Sequence, residues 1–179
     1  MDKNCQQTTR HRLERLLATW SPTTIVAIDR WEITDAVGPD GRVISSGTPE
    51  HISLVERSLA DAARQLTSRG AHLVFIELPP ILPPDCGSGE AQSSPRCHPA
   101  VREDAVQAPY NDALRRVARS VPGVSTMSIT AALCPAGVCG WDLDGMVLRF
   151  DGLHFTLDAS RWLVPALGQQ LTAAGLAPE

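Results

Sequence analysis

The chain lacks a basic surplus. Its 16 Lys and Arg stand against 20 Asp and Glu, a formal net charge of -4 over 179 residues, so the positive footprint that neutralises phosphates is missing. A nucleic-acid partner is not expected. No apolar run approaches the roughly 18 residues of a membrane span, and Met1 to Glu14 is polar and charged rather than signal-like. Neither a signal nor a transmembrane segment is therefore expected within these residues. Aromatic side chains make up only 4%, but aliphatic ones bring the hydrophobic share to 43%, and Val/Ile/Leu runs recur along the whole length, which excludes a disordered chain. Internal repeats, low-complexity tracts and a second-domain linker are also absent, so residues 1–179 are read as a single domain.

Five cysteines are present. Cys86 and Cys97 flank a Gly/Ser/Pro-rich loop, Cys134 and Cys139 flank Pro135-Ala136-Gly137-Val138, and Cys5 stands alone. Two local disulfides with one orphan is the simplest reading. Unpaired thiols and a zinc site that borrows His98 are the alternatives, although no C-x-x-C knuckle occurs. On the disulfide reading no metal and no cofactor is expected. Disulfides belong to oxidising compartments, so a chain that carries them without an export signal reads as an extracytoplasmic or cell-envelope part of a longer, membrane-tethered protein.

Helical and strand patterns alternate. Thr8 or Thr9 can cap a helix to Trp20, with Leu13, Leu16, Leu17 and Trp20 on one face. Thr24 to Ile28 is a short β-branched run that fits a parallel strand buried on both faces. A Gly/Pro/Asp loop follows from Gly38 to Gly47. Pro49 then opens a helix to about Ser68, with Gly70 as its stop signal. His72 to Leu78 is a second strand, Val106 to Ser120 a third helix with Pro109 near its true start, and Val124 to Ile129 a third strand. Helix, strand, helix, strand, helix, strand points to a doubly wound parallel sheet. Asp144-Gly145 between short apolar flanks signals a hairpin, and a last helix, Asp158 to Ala174, contains Pro165, which is expected to kink it or delay its start.

Between that hairpin and the last helix lies Arg149-Phe150-Asp151-Gly152-Leu153-His154-Phe155-Thr156. A histidine titrates near neutral pH and can take a proton from a hydroxyl; a carboxylate nearby can bind its other ring nitrogen and fix the tautomer. Asp151 and His154 are therefore the candidate catalytic pair. By itself D-x-x-H fits a turn followed by a helix cap or a packed histidine better than a catalytic pair. His11, His51, His72 and His98 have no companion acid in a comparable setting and read as solvated or packed.

Asp29 to Asp35 after an apolar strand, HLVFIELPP, Asn111 to Leu114 on a helix, the Cys-Pro-x-x-x-Cys loop and R-F-D-G-L-H-F-T before R-W-L together resemble the SGNH hydrolase family over nearly the whole chain. More narrowly, they resemble the extracytoplasmic SGNH domains joined to membrane acyltransferases of the acyltransferase-three family. The resemblance implies a flavodoxin-like three-layer α/β/α sandwich with a parallel sheet. It implies a serine O-acyltransferase or esterase acting on O-acyl, typically O-acetyl, groups of cell-envelope glycans, with Asp151 and His154 as the family's final motif. An acylated carbohydrate or other ester substrate and a membrane acyltransferase domain are the implied partners.

The family's Gly-Asp-Ser nucleophile motif occurs nowhere in the chain. Aligned on the remaining motifs, Ile25 to Ile28 corresponds to the family's third strand, so the domain is expected to be N-terminally incomplete, to lack its first two strands and to expose Thr24 to Ile28 as a sheet edge. The family's Asn donor after that strand is absent too; Arg30 or a backbone amide near Trp31 is the replacement oxyanion donor. Ser88 in Gly87-Ser88-Gly89, Ser45 and Ser46 lack the strand-to-helix elbow of a nucleophile. A catalytically silent glycan-binding or interaction module derived from such a domain is the competing function, and a cytoplasmic flavodoxin-like binding protein is a weaker third.

Overall fold

The computed structural model describes residues 3–30, 33–38, 40–87, 94–101 and 107–177. Packing divides them into two compact units, one built from Met1–Ile76 and Pro109–Thr126, the other from Glu77–Ala108 and Met127–Ala177. The chain is α/β, with a parallel three-stranded sheet and five α-helices among the described residues.

The first unit opens with α1 (Lys3–Trp20), about two turns longer at its start than the Thr8 or Thr9 cap would give. Strand β1 (Thr24–Ala27) follows, then a small antiparallel hairpin, β2 (Ala36–Val37) with β3 (Val43–Ile44), inside the stretch expected to be loop. Gly41 at φ +81° and the Gly38 N–H to Arg42 carbonyl bond (2.8 Å) close that hairpin. Helix α2 (Pro49–Thr67) starts where Pro49 suggested, because the Thr48 hydroxyl accepts from the His51 N–H and Pro49 needs no intrahelical donor. Its buried residues, His51, Val55, Leu59 and Ala63, recur every four positions and make one inward stripe.

Strand β4 (His72–Ile76) is the central strand of the sheet order β1-β4-β5, where β5 is Val124–Met127. Thr24 pairs with His72 and Ala27 with Phe75, in parallel. Leu73, Val74, Phe75 and Ile76 are all buried, each such side chain contributing roughly 1.5–3 kcal/mol relative to exposure. β1, by contrast, is an edge. The reading of Thr24 to Ile28 as buried on both faces is corrected here: Val26 is 43% exposed and Ile28, just past the strand, 54%. With only one paired neighbour, the continuous apolar run does not become a core strand. Helix α3 (Ala108–Ser120) buries Tyr110, Asn111, Ala113, Leu114 and Val117, whereas Ala108 and Ala118 are only half-buried.

The second unit holds both cysteine loops. Cys86 is joined to Cys97 and Cys134 to Cys139, so neither zinc nor free thiols claims these four sulfurs. An antiparallel bridge between Ala100 and Val138, with Val101 N–H on the Gly137 carbonyl (2.7 Å) and Cys139 N–H on the Pro99 carbonyl (2.9 Å), ties the two loops together. A short helix α4 (Thr130–Leu133) precedes the second disulfide. The hairpin is β6 (Asp142–Leu143) with β7 (Met146–Val147); Asp144 at φ +50° and Gly145 at φ +82° form the primed two-residue turn that Asp-Gly favours. Helix α5 (Leu157–Ala173) contains Pro165 without a delayed start, since the Thr156 hydroxyl caps it by accepting from the Ala159 N–H. Trp31, Ser88, Val106 and the side chain of Cys5 lie outside the described residues.

Candidate active site

The segment from Arg149 to Phe155 leaves the β6–β7 hairpin and returns to start α5, and its two ends are tied. Arg149 and Phe155 form an antiparallel bridge, the Thr156 N–H donates to the Leu148 carbonyl (3.0 Å), and the Thr156 hydroxyl donates to the Val147 carbonyl (2.6 Å). Arg149 is buried. Its guanidinium donates to the Pro80 carbonyl and, at 3.4 Å, to the Gly152 carbonyl, and it lies 5.0 Å from the Phe155 ring centroid in a cation–π contact. Gly152 closes the cage from the other side. Its φ is +78°, its carbonyl accepts from the Leu82 N–H (3.2 Å), and a Cβ there would stand 2.1 Å from the Leu82 carbonyl oxygen. Only glycine fits that backbone conformation and that approach together.

On this pinned loop the Asp151 carboxylate is used on both oxygens. One accepts from the Leu153 N–H (3.0 Å) and the His154 N–H (2.7 Å); the other accepts from His154 Nδ1 at 2.7 Å. Partial burial pushes the carboxyl up, but the bonds from the His154 ring and from the His154 and Leu153 amides outweigh it and hold the pKa at about 2. The acid is thus ionised at neutral pH and can only accept. Nδ1 must therefore carry the proton, which leaves the lone pair on Nε2 whenever the imidazole is neutral. Nε2 has no hydrogen bond among the described residues, and the His154 side chain is 66% exposed. Phe150 stacks on the ring, with centroids 5.9 Å apart and planes within 15°, so one face of the imidazole is covered and its rotation restricted. The arrangement is an imidazole oriented through Nδ1 on an exposed side chain, with an Nε2 lone pair that is chemically able to take a proton.

Residues 2–169 match the family model described as an SGNH domain of the kind fused to AT3 domains. The chain belongs to this SGNH family. No curated protein matches it. Both members of the dyad fall inside the matched span of the SGNH domain, at its C-terminal end.

Elsewhere in the SGNH domain the residues singled out from sequence fall as follows. Arg30 lies in the first unit just after β1, and its backbone N–H is already held by Asp29 Oδ1 at 2.6 Å, so that amide is committed locally. His51 is buried, with Nδ1 2.7 Å from the Tyr110 hydroxyl, a packed role. His72 has a serine partner that its sequence neighbourhood did not suggest: its Nε2 is 2.9 Å from Ser125 Oγ across β4 and β5. Both residues sit near the starts of parallel strands, whereas ligand sites of open parallel sheets form at the carboxyl ends, and no carboxylate orients His72 in the bonds described. That pair is read as a cross-strand contact. Reasoning from sequence missed Arg149, Gly152 and Phe150 as parts of the site. For Gly152 the signal was there, in Asp-Gly between apolar flanks; for Arg149 it was not, because its partner carbonyl is 69 positions away.

Proposed function

We propose that this SGNH domain supplies the general base and its orienting carboxylate to acyl transfer at ester bonds, with O-acetyl groups of extracytoplasmic glycans as the substrate class. The observation that carries the reading is the 2.7 Å bond from His154 Nδ1 to an Asp151 carboxylate that its own loop holds ionised, which leaves a lone pair on Nε2 of an exposed side chain. A hydroxyl nucleophile gives its proton to Nε2 as its oxygen attacks the acyl carbonyl. The imidazolium, stabilised by Asp151, returns that proton to the departing sugar oxygen, leaving an acyl-enzyme that water or a second hydroxyl then resolves. Two disulfides support an oxidising, extracytoplasmic setting, and membership of a family fused to AT3 domains supports a membrane acyltransferase as the working partner.

These 179 residues contain no Gly-Asp-Ser, so the reading assigns them the acid–base half of the reaction. That same fact favours the second reading, a silent glycan-binding or interaction module. Acetyl-ester hydrolysis separates the two. The 179 residues alone are expected to turn over at background, and a chain carrying a Gly-Asp-Ser segment ahead of Met1 is expected to gain serine-dependent turnover that His154→Ala abolishes. A chain so extended that binds acetylated glycan yet never turns over would establish the silent module. Strong hydrolysis by the short chain that survives His154→Ala would show that the dyad is not the site.

A further inference from the structure

Charge is unevenly placed along this chain. Helix α1 holds Lys3, Arg10, Arg12 and Arg15 against the single carboxylate of Glu14, a net +3 within a chain of net -4, leaving twelve basic residues against nineteen acidic ones elsewhere. Glu14 faces His11 at 3.6 Å. Arg12 and Arg15 have no hydrogen-bond or ion-pair partner among the described residues.

Leu13, Leu16, Leu17 and Trp20, expected on one face of the helix, divide into two stripes in the structure. Leu13 and Leu17, four apart, turn inward, and Leu17 is buried. Arg12, Leu16 and Trp20, also four apart, turn outward, and Leu16 is 48% and Trp20 75% exposed. Together with Arg15 and Thr19 they line an open cleft of about 380 Å³. A leucine and an indole left in water beside two uncommitted guanidiniums form a surface with two requirements: negative charge at the arginines and an apolar layer beneath it.

We infer that this stripe of α1 docks in the plane of an anionic phospholipid bilayer, the guanidiniums on lipid phosphates and Leu16 and Trp20 in the region between headgroups and acyl chains. Trp20 ends the helix about two turns from Arg12, a reach of roughly 12 Å along the axis, which suits a helix lying flat in the interface. It does not span, since no helix among the described residues is long and apolar enough to cross a membrane. A second copy meeting the first through the same stripe would bring four arginines into one interface with no carboxylate in the stripe to pair them. An acidic soluble protein would satisfy the charges but would need a pocket shaped for the indole, whereas a bilayer accepts a convex apolar face without one. The inference stands apart from the reading of the Asp151–His154 loop.

The test is co-sedimentation of the 179-residue chain with vesicles of phosphatidylcholine alone or mixed with phosphatidylglycerol, at low and high salt. Binding is expected only to the anionic vesicles and should weaken with salt. Each arginine neutralised, as Arg12→Gln or Arg15→Gln, should lower affinity about fivefold, and the double variant about 25-fold. Leu16→Ser/Trp20→Ser should release the chain while Trp20→Phe retains it, with far-UV circular dichroism showing that every variant is folded. Equal binding to neutral and anionic vesicles, no binding to either, or a concentration-dependent dimer that Leu16→Ser/Trp20→Ser dissolves would each overturn the inference.

Discussion

Two histidines in this protein make nearly the same bond and have opposite surroundings. His154 Nδ1 is 2.7 Å from an Asp151 oxygen and His51 Nδ1 is 2.7 Å from the Tyr110 hydroxyl. The first imidazole is 66% exposed; the second is 1% exposed. The partner decides whether the tautomer is fixed. A carboxylate can only accept, so Nδ1 of His154 carries the proton and Nε2 offers a lone pair. The Tyr110 hydroxyl, which also accepts from the Gly47 N–H (2.8 Å), can both give and take a hydrogen bond, so it imposes no tautomer on His51. One ring is presented to solvent as a base. The other ties the α2 start, the Gly47 turn and α3 together inside the first unit. Bond length alone does not distinguish a reactive histidine from a structural one; partner charge and access do.

The largest effect that would sharpen the contrast is on turnover. In a chain supplied with a Gly-Asp-Ser segment, Asp151→Asn is expected to lower kcat by about 10³–10⁴-fold, because the amide cannot hold the same tautomer. An Asp151→Asn variant with ordinary turnover would break the comparison. Gly152→Ala comes next. A Cβ placed 2.1 Å from the Leu82 carbonyl oxygen at φ +78° must displace the loop, at a cost of about 3 kcal/mol or more, and amide exchange should rise across residues 149–155.

On the structural side, Tyr110→Phe leaves the His51 ring and the Gly47 N–H without their shared oxygen. It should cost about 1–3 kcal/mol in urea unfolding, with no change in turnover. If the Tyr110→Phe protein were as stable as the parent, the buried pair would be decorative and the contrast would fail. The smallest effect is in acid. The Asp151 carboxyl is held at about 2, below its ordinary 3.8, so its contribution to the loop is complete above the ordinary value and is lost as the pH falls through about 2. The amide resonances of Leu153 and His154, both donors to Asp151, should shift in that window and not between pH 5 and 4.

How much of this was legible beforehand depends on the distance over which each feature is encoded. Helix α2 was readable from Pro49 at its start and Gly70 at its stop, and the β6–β7 turn from Asp144-Gly145. Asp151 and His154 were readable as a pair because three residues of loop bring them together, and their family resemblance lay in short motifs. The β2–β3 hairpin was missed because its four residues show no alternation long enough to stand out from a Gly/Pro/Asp loop.

The sequence by itself determined the order of helices and strands, the cysteine loops, the absence of a nucleophile motif and the acid–base spacing, because capping, periodicity and turn chemistry act within a few residues of one another. Only the tertiary structure decided that Val26 and Ile28 stay exposed, that His51 meets Tyr110, that Arg149 reaches the Pro80 carbonyl and that Gly152 lies against Leu82. Those contacts join positions about 60 to 70 apart, or depend on which strand has a neighbour. Their specificity comes from close packing and from the need to satisfy buried polar groups once the chain has closed on itself, and neither leaves a local pattern.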